Sequence, residues 1–380
     1  MFRNFVSFVR DLYGTNEFIP LHAPQFRGNE KKYLLETIDS TFVSSVGEFV
    51  NHFETSVAEY TGAKYAIATV NGTAALHIAL KLAGVVAGCE VITQSLTFIA
   101  TCNAIRYCGA TPLFVDVDKQ SLGLSAESLH LFLQEYAEIR EDGFCWNKKS
   151  HKKIIACCPM HTFGFPVDID SIKRICDQFN IMLVEDAAES LGSTYKKKHT
   201  GITGITSAIS FNGNKIITSG GGGMVLTNND ELAKQAKHIT TTAKIPHQWD
   251  FEHDEVGYNY RLPNINAALG VAQMEVLPEY LKEKKKIAQS YQKWVDGYNV
   301  SCIKEDEGTS ANYWLNNLLM ENRSQRDSFL QETNSMGIMT RPAWIPMHQL
   351  AINNDCFAVD MSNTTFLFDR LISVPSGISS

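Results

Sequence analysis

From Ala63 onward the chain repeats one pattern: a short apolar run, a turn of small or polar residues, then apolar residues recurring on one helical face. Ala63–Thr69 leads through Asn71, Gly72 and Thr73 to a helix over Ala74–Ala83, with Ala75, Leu76, Ala79, Leu80 and Ala83 on its apolar side. Cys89–Thr93 precedes a helix through Phe98–Tyr107, and Thr111–Val117 leads through a loop to a helix opened by Ser125. Lys153–Cys158 precedes a helix over Asp168–Phe179, and Ile181–Val184 is a short, wholly apolar strand. Such alternation predicts the α/β class: a mostly parallel sheet covered by helices on both faces. Two further strands, Ser207–Phe211 and Gly223–Thr227, flank a glycine-rich loop.

Upstream, Asn29–Ser40 reads as a helix, Phe49, Phe53 and Val57 recur at helical spacing, and Thr41–Gly47 is a polar turn between them. A long helical pattern runs from Asn264 to about Trp294, with a kink or break expected at Pro278. Beyond it the pattern predicts a strand near Trp314–Met320, a helix near Gln325–Met336, and strands near Ile338–Arg341 and Leu371–Val374. Glu138–His151, with Trp146 and paired lysines, reads as a surface excursion. The expected division is a large α/β domain over 1–260 and a smaller α+β domain over 261–380.

Composition narrows the partners. The 380 residues carry a formal charge of −7, which leaves no basic footprint for nucleic acid. Arg10 and Asp11 interrupt the apolar start before a signal-peptide core forms, and no run is long enough to span a membrane. The nine cysteines are odd in number and lack C-x-x-C spacing, so they read as small buried hydrophobes in a reducing cytoplasm. His22, His77 and the other histidines show no metal-ligand spacing, so no metal is expected.

Four features carry candidate chemistry. Asn71-Gly72-Thr73 opens a helix, where free N–H groups and a hydroxyl suit a phosphate, although an ordinary N-cap gives the same pattern. Asp186 follows a buried strand at the rim where parallel sheets bind ligands, and a buried carboxylate there needs a cation or strong donor; a capping aspartate is the plainer reading. Phe98 follows another strand end. Lys215 lies just before Gly220–Gly223, where taken alone it reads as a solvated loop lysine. Together they match what pyridoxal 5′-phosphate requires: a lysine for its aldehyde, an acid for its ring nitrogen, donors for its phosphate and a ring to stack on.

These motifs, with Glu185-Asp-Ala-Ala188, Gly257-Tyr-Asn-Tyr-Arg261 and Thr340-Arg-Pro342, resemble the fold-type I sugar aminotransferases of the DegT/DnrJ/EryC1/StrS family from Ile19 to Gly377. The resemblance implies a mostly parallel seven-stranded sheet domain, a smaller C-terminal α+β domain, and a homodimer with active sites at the subunit interface. It implies that Lys215 forms the Schiff base and moves the proton, while Asp186 pairs with the ring nitrogen. Gly72, Thr73 and Ser210 would bind the phosphate, with Asn259 reaching in from the other subunit, and Phe98 would stack on the ring. Glu189 would lie near the cofactor's 3′ oxygen, where it must be protonated or sit beside a donor. Ser44, Ser45, His161, Arg261 and His348 are candidates for holding substrate.

The implied reaction moves the amine of glutamate to C4 of a nucleotide-linked 4-keto-6-deoxy sugar. Phe42–Gly47, Met160–Gly164 and the glutamate at 189 point to a UDP-linked 2-acetamido substrate of the bacillosamine or legionaminic acid type. The alternative is a GDP- or dTDP-linked 4-keto sugar of the perosamine type, or a 3-keto sugar. A sugar dehydratase of the same fold replaces the lysine by histidine, which Lys215 argues against; a non-catalytic relative that has kept the fold is opposed by competent residue types at all the cofactor positions; and a nicotinamide enzyme would need the missing glycine fingerprint.

Overall fold

Phe5 and Val9, one helical turn apart, are fully buried, and they make a packed helix of the apolar start: α1 (Phe2–Tyr13). The computed structural model describes residues 2–378. After α1 come α2 (Glu30–Asp39) and α3 (Glu48–Thr61), joined by the expected turn and burying Phe53 and Val57.

The repeating region then supplies β1 (Tyr65–Thr69), α4 (Gly72–Leu82), β2 (Glu90–Gln94), α5 (Ile99–Tyr107), β3 (Thr111–Val115) and α6 (Ala126–Tyr136). Next are β4 (Ala137–Ile139), β5 (Cys145–Asn147), β6 (Lys153–Cys158), α7 (Ile169–Gln178) and β7 (Met182–Asp186). The short pair β8 (Thr194–Tyr195) and β9 (Lys198–His199) precedes β10 (Thr206–Ser210), β11 (Gly223–Thr227) and α8 (Asp230–Thr240). The main sheet runs β1-β11-β10-β7-β6-β2-β3. From β10 to β3 every pairing is parallel, whereas β11 is antiparallel to both of its neighbours.

Adjacent strand residues face opposite layers, as the two-residue period requires. Val91, Cys158 and Val184 pack under α4, α5 and α8, while Ile92, Cys157 and Leu183 pack under α6 and α7. The sheet is therefore buried on both faces, which is why its strands read as unbroken apolar runs.

Several expectations change. The stretch over 138–151 is not a loose excursion but the β4–β5 hairpin, which pairs with β6 and widens the sheet to nine strands among the described residues. Cys145 and Asn147 are buried there, and the Asn147 amide donates to Glu90 Oε2 at 2.8 Å. Helix α8, opened by Asn229 accepting from Glu231 and Leu232, lies in a segment given no element from its sequence. Finally, α9 (Asn264–Val295) runs unbroken through Pro278.

The remaining elements are β12 (Ser301–Cys302), β13 (Thr309–Ser310), β14 (Asn316–Leu319), α10 (Arg323–Ser335), β15 (Arg341–Pro342), α11 (Ser362–Phe368) and β16 (Leu371–Val374). They form an antiparallel sheet in the order β12-β14-β16-β15, with β13 pairing instead with β8. The strand expected near Ile338 is shorter; Ile338 makes only an isolated bridge to Ile19. The α1 ring of Phe5 meets Phe329 of α10 at 4.7 Å and Tyr291 of α9 at 6.2 Å, so the N-terminal helix packs on the C-terminal half.

Beneath the end of β7 lies a buried polar knot. Glu185 accepts from the N–H groups of Gly201 (2.8 Å), Thr203 (2.7 Å) and Gly204 (2.6 Å) and from His161 Nε2 (2.9 Å). Burial alone would raise its pKa, but the His161 bond and the N–H groups of Gly204 and Gly201 outweigh this and hold it below the usual glutamate range. His161 is fully buried, and its Nδ1 accepts from Val167 N–H at 3.2 Å, so both ring nitrogens are engaged. That corrects the expectation of a substrate contact: His161 holds the loops behind the sheet end.

Two stability outcomes follow from this packing. Phe53 is fully buried 4.7 Å from Phe211, and a Cβ on Gly270 of α9 would come within 2.6 Å of its ring. Phe53→Ala is expected to cost about 3–5 kcal/mol in urea unfolding. Glu185→Gln is expected to cost about 1–3 kcal/mol at pH 7, because one acceptor oxygen becomes a donor facing backbone N–H groups. A depressed carboxylate stabilises the fold above the unfolded-state pKa, so the gap between the two proteins should close as pH falls through the lowered pKa of Glu185.

Candidate active site

The carboxyl ends of the parallel strands, where helix starts and strand-end carboxylates meet, open into a cavity of about 340 Å³. Its floor begins at Asn71, an extended residue whose side chain accepts from Ala74 N–H at 2.8 Å and caps α4. Gly72 and Thr73 follow in the first turn, where N–H groups have no carbonyl of their own helix to bond. A Cβ on Gly72 would lie 2.7 Å from Ser210 Cβ, so only glycine lets α4 start this close to β10. Gly223 similarly lets β11 pass the Asn71 carbonyl, 2.3 Å from where a Cβ would stand. Gly72, Thr73 and Ser210 thus line one end of the cavity.

Asp186 ends β7 and is 3% exposed. Its Oδ2 accepts from the Thr101 hydroxyl at 2.7 Å and its Oδ1 from Ala188 N–H at 3.2 Å. Burial pushes its pKa above the usual aspartate range, against the pull of those two bonds. Such a carboxylate has capacity for one more strong donor from the cavity. Thr101 lies on α5 one turn beyond Phe98, whose ring is 47% exposed and faces the same space. The i, i+3 spacing of Phe98 and Thr101 could have revealed this pairing from the sequence.

Lys215 projects from the loop after β10, with its side chain 13% exposed. Its Nζ stands 3.3 Å from Glu189 Oε1 and 4.0 Å from the centre of the Trp314 ring. Glu189 Oε2 accepts from Phe163 N–H at 2.9 Å. Burial raises the Glu189 pKa to about 7, although Lys215 and the Phe163 N–H pull the other way. The carboxyl therefore has the adjacent donors that the sequence argument demanded of it.

Other expected residues lie outside this cavity. Tyr258 and Tyr260 stack on each other at 5.1 Å and against His77, which turns the intervening Asn259 outward and leaves it exposed. Ser45 and Arg261 share a second cleft with Lys237, about 380 Å³ in volume. There Arg261 Nη2 donates to Thr241 O at 3.2 Å, and its Nε is buried without a partner. Ser44 is exposed, with its carbonyl accepting from Asn264 N–H at 2.7 Å. His348 is half-buried; the Ser95 hydroxyl meets its Nδ1 at 2.6 Å, and burial lowers its pKa. Among the described residues, His238, Asp254 and Glu255 bring three potential ligand atoms within 4.8 Å, but at the surface and with His238 already 2.6 Å from Asp254.

The cavity also holds residues the sequence reading passed over, chiefly Thr101, Asn212, Asn214, Trp314 and Trp344. An amine, a buried acid, an exposed ring and a helix start with a serine hydroxyl all face one enclosed space. This donor set fits pyridoxal 5′-phosphate: the helix end and hydroxyl suit a phosphate, and Asp186 suits a protonated ring nitrogen.

Comparison with known proteins agrees. A GDP-perosamine synthase of Escherichia coli O157:H7 is 36% identical over 339 residues, covering 89% of this chain and 88% of the relative. A putative pyridoxal phosphate-dependent aminotransferase, EpsN of Bacillus subtilis, is 35% identical over 366 residues, covering 94% and 91%. The crystal structure of a DegT DnrJ EryC1 StrS aminotransferase from Brucella abortus superposes with a TM-score of 0.82 at 25% identity, covering 92% of this chain and 90% of that one. The pattern of the family matches residues 24–379, and the chain belongs to the DegT/DnrJ/EryC1/StrS aminotransferase family, whose members depend on pyridoxal 5′-phosphate.

Proposed function

We propose that this aminotransferase moves the amino group of glutamate to C4 of a GDP-linked 4-keto-6-deoxyhexose, a reaction of the perosamine type. The observation that carries the chemistry is the meeting of Lys215 and Asp186 in one cavity at the start of α4. The sugar is supported by similarity to GDP-perosamine synthases over nearly nine-tenths of the chain. The UDP-2-acetamido reading rested on three motifs, and one of them has work inside the fold: His161 of Met160–Gly164 serves Glu185.

Bound pyridoxal phosphate supplies an aldehyde to carry the amine and a ring to take up electrons. In this reading the first-turn N–H groups of Gly72 and Thr73, with the Ser210 hydroxyl, would bind its phosphate. Asp186, kept in place by Thr101, would accept the ring N–H, and Phe98 would cover one face. Lys215 would hold and move a proton at Nζ, with Glu189 within reach of that amine.

Charge argues for a dimer. Lys215 is the one cation among the described residues lining the cavity, beside Asp186 and Glu189, yet glutamate and a sugar diphosphate are both anions. Asn259 faces outward and Arg261 carries an unpartnered Nε in a separate cleft. A second copy would bring both to the first copy's cavity, Asn259 toward the phosphate and Arg261 toward a carboxylate or diphosphate. Ser45, beside Arg261, would join that cleft's contacts.

The test offers the purified enzyme glutamate with GDP-, dTDP- and UDP-linked 4-keto sugars and identifies products by NMR. The expected product is the GDP-linked 4-amino sugar with equimolar 2-oxoglutarate, and Lys215→Ala should lower turnover by about a thousandfold or more. Amination of the UDP-2-acetamido sugar alone would restore the other carrier. Ammonia release without 2-oxoglutarate would mark a dehydratase.

A further inference from the structure

Lys215 is seated by a residue from the far half of the chain. Trp314 is 5% exposed, and every polar group it has is committed. Its Nε1–H donates to the carbonyl of Asn214, the residue before Lys215, at 2.6 Å. Its backbone N–H donates to Asn312 Oδ1 at 2.8 Å, and the Asn312 amide group in turn bonds the carbonyls of Glu189 (2.9 Å) and Leu191 (2.8 Å). Its own carbonyl accepts from Lys284 Nζ at 2.8 Å. Lys284 belongs to α9 and is fully buried, and burial holds its pKa well below the usual lysine range. The same amine also bonds the Ser376 carbonyl.

With its edge and main chain fixed, the indole leaves one face to the cavity, and Lys215 Nζ sits 4.0 Å above it. Across the amine stands Glu189, whose other oxygen is pinned by the Phe163 N–H. Phe163 (φ 54°) and Tyr313 (φ 50°) both hold left-handed backbone that bulky residues avoid. Both walls of the seat are thus built next to strained residues, a pattern that gathers at functional sites.

We propose that Trp314 is a positioning residue for Lys215: its indole face and the Glu189 carboxylate form a seat that holds the Lys215 ammonium whenever the amine is not bonded to carbon. The Nε1–H bond to Asn214 fastens that seat to the lysine loop. A free lysine has four side-chain torsions and spreads over many positions, so a seat shortens the search each time the amine must attack again. A ring face adds attraction for a cation without adding a further carboxylate beside Asp186 and Glu189. The inference rests on Lys215 being the reactive amine.

The experiment uses cofactor-free, full-length protein, so its outcome is separate from that of the amination assay. Acetic anhydride labelling of Lys215 is followed by peptide mass spectrometry at one fixed pH, with the exposed Lys197 as solvent reference and the buried Lys284 as packing reference. Trp314→Leu should raise the labelling rate of Lys215 by about threefold or more relative to wild type, with Lys197 and Lys284 unmoved. Trp314→Phe keeps a weaker ring face and should fall between the two; it carries the test if Trp314→Leu does not fold. Simple loss of packing would raise labelling of Lys284 alongside Lys215 and overturns the proposal, as does an unchanged Lys215 rate in either folded variant.

Discussion

Three carboxylates are buried within five residues at the end of β7, and the site depends on how each is compensated. Glu185 receives three backbone N–H groups and an imidazole, which is enough to keep it charged in the interior. Asp186 receives one hydroxyl and one longer N–H bond, and Glu189 one N–H and an amine. Burying a charge is costly unless donors surround it, so this uneven supply divides the labour. The well-supplied carboxylate fixes the fold, and the two under-supplied ones face the cavity with capacity to spare.

The supply reaches β7 from distant parts of the chain. Thr101 comes from α5, Phe163 from the loop after β6, and Gly201 to Gly204 from the loop before β10. Lys215 and Trp314 arrive from the loop after β10 and from the approach to β14. The C-terminal half of the chain reaches the cavity through Trp314, just before β14, whose carbonyl accepts from the Lys284 amine of α9.

Much of this was legible in the sequence, because strands buried on both faces write themselves as apolar runs and a helix start beside a sheet needs small residues. Lys153–Cys158 and Gly223–Thr227 match the observed strands residue for residue. The hairpin at 137–147 was hidden because its buried members are an alanine, a cysteine and an asparagine, and only Glu90 across the sheet shows why Asn147 is inside. His161 misled for a related reason: a histidine beside a cavity-forming loop looks like a ligand until Glu185 is placed behind it. Trp314 could not be singled out, since its role depends on contacts with Asn214, Asn312 and Lys284, which are far apart in sequence.

The reversal of direction at β11 has an effect on tolerance to insertion. Ser210 pairs with Gly223, Ala208 with Val225, and Ile209 with Met224. Ala208 and Val225 face one core, and Ile209 and Met224 the other. Sliding either strand by one residue would exchange these faces and bury polar groups, so the core itself guards the alignment of Ser210 with the start of α4. The lysine loop spans two strands that cannot slip, and it is itself tied: Phe211 O accepts from the Thr218 hydroxyl and the Ser219 N–H, and Asn214 O from Trp314. An added residue there has no slack to occupy and would push Lys215 off its place in the cavity.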